Sequence, residues 1–375
     1  MIVRQFLLWA RTAPANVRAQ AASALARAYL RADLGAQDRA ELEEALPLMI
    51  VDPAPQMGLA LAEAFCRHPL VPVDIVLSLA ANEGDAGLMM LARSPVLHER
   101  ELIELVETGS PARQAAIASR EGLVAPVAAA IAEVGHAAAS LTLVTNASAD
   151  IPGFALARIV ERFSHLPAMR EALLARPGLP AAAHHALIRA VAGALTSFVS
   201  ERDWMGTADA ARVAREACER ATLTCADGRE DADVRGLVEQ MYRNDQLTPA
   251  LVLRALLSGQ VRLFLEAVSV LSGLPTDRVA ALAADRSGAA FRVLYDRIGL
   301  PRGAYVAFRT ALQVMQAESY VDEGEGTAGL KRRIVERVLD QYAGLGETQG
   351  SGKLIEVLQR WQAEAIRDAA DRQAA

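Results

Sequence analysis

Apolar positions along this chain recur with two periods at once. Within Glu99 to Thr108 and within Pro111 to Ser119 they fall at i, i+3 and i+4, the spacing that gathers side chains on one face of an α-helix. Between such segments the pattern returns every 26 residues. Leu91-Ala-Arg-Ser, Ile117-Ala-Ser-Arg and Leu143-Val-Thr-Asn begin 26 apart, and Phe65-Cys-Arg-His lies 26 before the first. Val76, Leu102, Ala128 and Phe154 form a second apolar column in the same register. The punctuation repeats with the core: Gly109 pairs with Gly135 and Pro126 with Pro152, at places where glycine stops a helix and proline starts one. Ser110 is the expected N-cap ahead of Pro111.

At a rise of about 1.5 Å per residue, a unit of this length holds two helices of roughly eight to eleven residues and their turns. Each unit therefore reads as an αα-hairpin, and the L-x-x-L-x-L strand signature of a leucine-rich repeat is missing. One hairpin of this size cannot bury its own apolar face, so it must stack on its neighbours. The predicted fold is all-α: a HEAT-like α-solenoid of short helical-hairpin repeats, with a second helical part. A fifth copy, Leu174-Ala-Arg-Pro, starts 31 after Leu143, which predicts five extra residues around 162–169. Farther on, Ser272-Gly-Leu-Pro and Ile298-Gly-Leu-Pro are again 26 apart, with Leu265/Phe291, Val268/Leu294, Val279/Tyr305 and Leu282/Phe308 as matched pairs.

The expected divisions are a helical cap at 1–50, repeats at 51–195, a second helical part at 206–317, and C-terminal helices at 318–375 serving as a cap or an oligomerisation element. Between the repeats at 51–195 and the Gly-Leu-Pro repeats that begin near 265 lies a connection containing Trp204, expected to be a buried anchor, and the polar segment from Ala226 to Asp233, expected to be an exposed linker.

Composition sharpens this picture. Hydrophobic residues make up 52% of the chain and aromatics only 5%, so Ala, Leu and Val carry the core and helix backbones can approach closely. The net charge of −6 excludes the basic excess of a protein that tracks nucleic-acid backbones. Lys331 and Lys353 are the only lysines; so general a preference for arginine reads as compositional bias rather than as anion recognition. Cys66, Cys218 and Cys225 lack C-x-x-C spacing and fit reduced thiols in a cytoplasm. The Ala-rich run from Gly122 to Val144 carries Glu133 and His136 and is broken by Pro126 and Gly135, so no membrane insertion is expected.

The stretches LARSPVL at Leu91, AIASREGL at Ala116 and NASADI at Asn146, with SGLPTDRV at Ser272 and DRIGLP at Asp296, resemble an alphaproteobacterial family known as domain of unknown function 2336. The resemblance covers about 30–315. It implies a HEAT-like helical array in the bacterial cytoplasm and carries no catalytic residues with it.

No motif specifies chemistry. Gly324-Glu-Gly-Thr-Ala-Gly329 matches G-x-G-x-x-G, but no strand precedes it and Asp322, Glu323 and Glu325 would repel a pyrophosphate. Gly350-Ser-Gly-Lys353 lacks the remaining residues of a phosphate loop and reads as a turn. The six histidines show no metal-ligand spacing, so no catalytic, cofactor or metal residue is assigned. The polar feature that does repeat is at the hairpin turns, where Arg67, Arg93, Ser119, Thr145 and Arg176 are followed by His68, Ser94, Arg120, Asn146 and Pro177. These positions read first as a ladder of helix caps. The alternative is a partner-binding row of Arg67, Arg93, Arg120 and Arg176 that receives an acidic or phosphorylated protein segment. The expected function is a non-enzymatic protein–protein interaction scaffold using the repeat surface. A helical-repeat nucleic-acid-processing enzyme and a small-ligand sensor are the alternatives, and homo-oligomerisation stays open.

Overall fold

The computed structural model describes residues 9, 12–30, 35–318, 326–345 and 351–374. Among them are 21 α-helices and no strand, so the chain is all-α as its periodicity predicts. It divides into two compact units, Met1–Leu179 and Pro180–Ala375.

The first unit contains α1 (Ala15–Tyr29), α2 (Ala36–Ile50), α3 (Pro55–Phe65), α4 (Val73–Ala80), α5 (Asp85–Arg93) and α6 (Glu99–Thr108). It continues through α7 (Pro111–Ala118), α8 (Ala125–Val134), α9 (Ala137–Thr145), α10 (Gly153–Phe163) and α11 (Pro167–Ala175). The odd-numbered helices pack successively on one another from α1 to α11; α2 packs on α4, and α6, α8 and α10 pack in series. Alternate helices thus form two layers, the arrangement of a helical repeat array. Proline in the first turn of α3, α7, α8 and α11 supplies the fixed φ and omits an amide that has no helical partner.

The 26-residue period holds in the middle of this array. Val76, Leu102 and Ala128 are buried at equivalent places in α4, α6 and α8, as are Ile117 and Leu143 in α7 and α9. At the ends it drifts. The buried set of α5 matches that of α3 with Leu91 opposite Ala62, so Phe65 lies one turn later and packs edge-on to Tyr29 at 6.2 Å between ring centroids. Phe154 leaves the predicted column altogether and is 70% exposed. The helix α10 starts two residues late in the register, so Leu156 fills the place held by Ala128 in α8. Two more residues enter before α11, where Leu173 is buried and Leu174 is 46% exposed. The insertion of five residues predicted in one block is therefore one of four, shared between two turns.

Two predicted signals act by a different mechanism. Ser110 occupies the N-cap position of α7, but its hydroxyl makes no capping bond. Gly109 and Gly135 cap α6 and α8 with φ of −81° and −62°, which any residue adopts. What they supply is space: a Cβ would run into the Leu105 carbonyl oxygen at the first and into that of Ile131 at the second.

The second unit begins with two long helices, α12 (Ala181–Glu201) and α13 (Thr207–Ala226), followed by α14 (Asp231–Arg243), α15 (Pro249–Leu257) and α16 (Val261–Ser272). Then come α17 (Thr276–Ala283), α18 (Ala289–Arg297), a 3₁₀ turn at Arg302–Ala304, α19 (Tyr305–Glu318), α20 (Gly326–Leu345) and α21 (Ser351–Ala374). Gly273 and Gly299, the repeated glycines of the two Gly-Leu-Pro turns, both take left-handed φ, at 71° and 69°. Val268/Leu294 and Val279/Tyr305 enter one core, in which Phe264, Phe291, Tyr295 and Phe308 also pack.

The polar segment after Ala226 is mostly exposed, as expected, but its end is helical and anchored. Asp233 accepts a hydrogen bond from the Ala181 amide at 2.9 Å and pairs with Arg229 at 3.3 Å, tying α14 to the start of α12. Trp204, expected to be buried, is 68% exposed because it follows the end of α12 in a turn. The C-terminal helices contribute Ile334, Val338, Tyr342 and Leu358 to the core of this unit. Gly326 to Gly329 lie in α20 and Gly352-Lys353 in α21, so these parts of the two glycine motifs are helical. Gly324, Glu325 and Gly350 fall outside the described residues.

Candidate functional site

The hairpin turns of the first unit carry two neighbouring columns with different surroundings. Arg67, Arg93, Ser119 and Thr145 are exposed. In the next column Ser94 is buried, and Arg120 and Asn146 are half-buried. Arg120 donates to the carbonyls of Leu91 and Ser94, both at 2.6 Å. Asn146 repeats the act one hairpin later, its amide donating to Ala118 and Arg120 carbonyls at 2.9 and 2.7 Å. Arg176, displaced by the insertion, reaches Val144, Asn146 and Ala149 at 2.7 to 3.0 Å. Each side chain thus satisfies the carbonyls that a helix end leaves open in the preceding hairpin. Arg162 does the same between α10 and α8, donating to Ala132 and Gly135. Burial lowers the pKa of Arg120 and Arg176 from the ordinary guanidinium value.

The four arginines therefore do not line up as one row. Arg67 and Arg93 project from the exposed column, whereas Arg120 and Arg176 are bonded to backbone.

In the second unit two cavities flank α13. One, of about 440 Å³, lies against α12 and the start of α15 and is lined by His185, Arg189, Cys218 and Thr248 among others. His185 is only 5% exposed, and burial with Arg189 nearby lowers its pKa to about 4, so the imidazole is neutral near pH 7. Burial pushes the Cys218 thiol up, keeping it protonated. These groups donate and accept hydrogen bonds; a nucleophilic thiolate is not generated here.

The other cavity, of about 620 Å³, opens between α13, α15 and α21. Among the described residues six arginines line it: Arg212, Arg215, Arg220, Arg254, Arg360 and Arg367. Arg360 pairs with Glu216 at 2.9 Å, and Arg254 with Glu219 at 3.5 Å while lying 5.2 Å from the centre of the Trp361 ring. Burial raises the Glu219 carboxyl despite the pull of Arg254. None of these residues is among the sequence-predicted site residues, although Arg212, Arg215, Glu216, Glu219 and Arg220 stand at i, i+3, i+4, i+7 and i+8, one helix face. The stripe is visible in the sequence; its convergence with Arg254 and α21 is not.

A third feature is apolar. Val191, Leu195 and Phe198 are exposed at i, i+4 and i+7 of α12, and Trp204 and Met205 are exposed in the turn that follows. Phe198 and Trp204 meet edge to face at 5.8 Å, and the Arg202 guanidinium lies 4.0 Å from the Phe198 ring centre and 5.5 Å from that of Trp204.

Among the described residues no group of three or more His, Cys, Asp or Glu side chains is placed to hold a metal ion. No helix among them is long and apolar enough to cross a membrane. Neither the curated proteins nor the solved structures include a match to this chain. Residues 88–347 match a family described as uncharacterised and conserved in bacteria, starting later and ending later than the stretch in which the sequence shows its resemblance. With most of its two-layer repeats and most of its second core inside that match, the chain belongs to the DUF2336 family.

Proposed function

We propose that this protein is a non-enzymatic scaffold of the bacterial cytoplasm that holds protein partners on the surfaces of its helical units. The observation that carries this reading is the exposed apolar face of α12 with Phe198, Trp204 and Met205. Large contiguous apolar side chains left in water mark interaction surfaces, and Trp and Arg are the residue types on which binding energy concentrates. The i, i+4, i+7 spacing of Val191, Leu195 and Phe198 suits a partner helix with apolar residues at matching positions. Arg67 and Arg93, exposed one hairpin apart in the first unit, offer a separate surface for an acidic or phosphorylated protein segment.

The test is in-cell crosslinking and capture of the full chain, with each captured protein then purified and titrated against it. A partner that binds wild type and loses roughly tenfold or more in affinity on Phe198→Ala/Trp204→Ala supports the reading, that factor being about 1.4 kcal/mol. Arg67→Glu/Arg93→Glu is expected to weaken a complex with an acidic or phosphorylated partner while leaving the thermal midpoint unchanged. Recovery of nucleic acid or a small molecule with no protein would overturn the scaffold assignment.

A further inference from the structure

Among the described residues, those lining the cleft between α13, α15 and α21 have a charge balance opposite to that of the whole molecule. Of its twelve described lining residues six are arginine and two glutamate, in a chain whose net charge is −6. Compositional preference for arginine does not account for this, because arginine fills half of the lining but about a tenth of the chain, 37 of 375 residues. Like charges so gathered repel one another, and a concave wall of protein concentrates their field.

The glutamates do not cancel the arginines; they orient them. Glu216 lies between Arg360 at 2.9 Å and Arg212 at 3.7 Å, and Arg212 is also held from outside the cleft by Asp209 at 2.9 Å. Glu219 holds Arg254, which is 5% exposed, while Arg215 acts on Glu219 through space. Arg215 and Arg367 are exposed at the cleft wall and complete it. Planar guanidinium groups fixed from several helices bind phosphate oxygens in pairs, and an arrangement spread over about 620 Å³ spans more than one phosphoryl group. Trp361, in the same wall, offers an aromatic surface beside them.

We infer that this cleft is a binding site for a small polyphosphate, inorganic or carried on a nucleoside, held by Arg215, Arg360 and Arg367 around the buried Arg254. The site lies on a different set of side chains from the α12 docking face and stands or falls independently of it.

The experiment uses the full chain carrying Trp9→Phe and Trp204→Phe, so that Trp361 is the remaining indole. Inorganic triphosphate, a nucleoside triphosphate and the unphosphorylated nucleoside are titrated at low salt, read by Trp361 fluorescence and by calorimetry. Saturable binding of either phosphate compound, absent for the nucleoside and weakened roughly tenfold or more by Arg215→Gln/Arg367→Gln, is the expected result. Equal affinity for the two phosphate compounds identifies inorganic polyphosphate, and tighter binding of the nucleotide identifies the nucleoside form. No saturable binding in calorimetry, or binding that the double variant leaves unchanged, overturns the proposal. Because Arg215 and Arg367 are exposed, that variant keeps its fold, which circular dichroism checks.

Discussion

The imidazole of His185 faces the α12–α13 cavity with Arg189 near it, and both burial and that charge disfavour its protonated form. Its pKa falls from 6.5 to about 4 on folding. The unfolded chain therefore takes up a proton at a pH where the folded chain does not. This contribution to stability is intact above pH 6.5 and is lost as pH falls toward 4, by roughly 3 kcal/mol in all. Denaturant unfolding of wild type and His185→Leu at a series of pH values checks this: the wild-type curve should fall more steeply between pH 6.5 and 4. Equal slopes would show that His185 is solvated. Nothing in the local sequence distinguishes His185 from His184, since adjacent helical residues point about 100° apart and only packing decides which enters the core.

At the scale of the element, the register of α10 is the clearest departure from the repeat. Phe154 is large and apolar and stands in the column of Val76, Leu102 and Ala128, yet two added residues before the helix turn it outward and bring Leu156 in. Stability measurements separate the two residues: Phe154→Ala should change unfolding free energy by less than about 0.5 kcal/mol, and Leu156→Ala should cost roughly 2–5 kcal/mol. The reverse ranking would restore the 26-residue register through Phe154. The repeat pattern conceals the shift because Pro152 falls where the period expects a helix-starting proline, but it is the N-cap of α10, whereas Pro126 lies within the first turn of α8.

At the scale of the molecule, hairpins that each contact only near neighbours are held by interface contributions that repeat. Arg120 supplies one such contribution, joining the turn after α7 to the end of α5 by charged hydrogen bonds to two carbonyls. Arg120→Ala should cost roughly 2–3 kcal/mol and raise amide exchange in α5 and α7 more than in α1 or α2. Uniform exchange would mean that this unit opens as one block. The sequence alone determined the helical class, the 26-residue unit and the matched Gly-Leu-Pro turns, because periodic burial and left-handed glycine are local demands written into neighbouring residues. It also marked the hairpin turns as polar. Which turn arginines reach carbonyls, which histidine is buried, where the insertion is absorbed and which arginines converge on one cleft were decided only by tertiary structure. Each of these depends on side chains from helices far apart in the chain, and a repeat pattern specifies spacing along a helix face without fixing what the next helix brings against it.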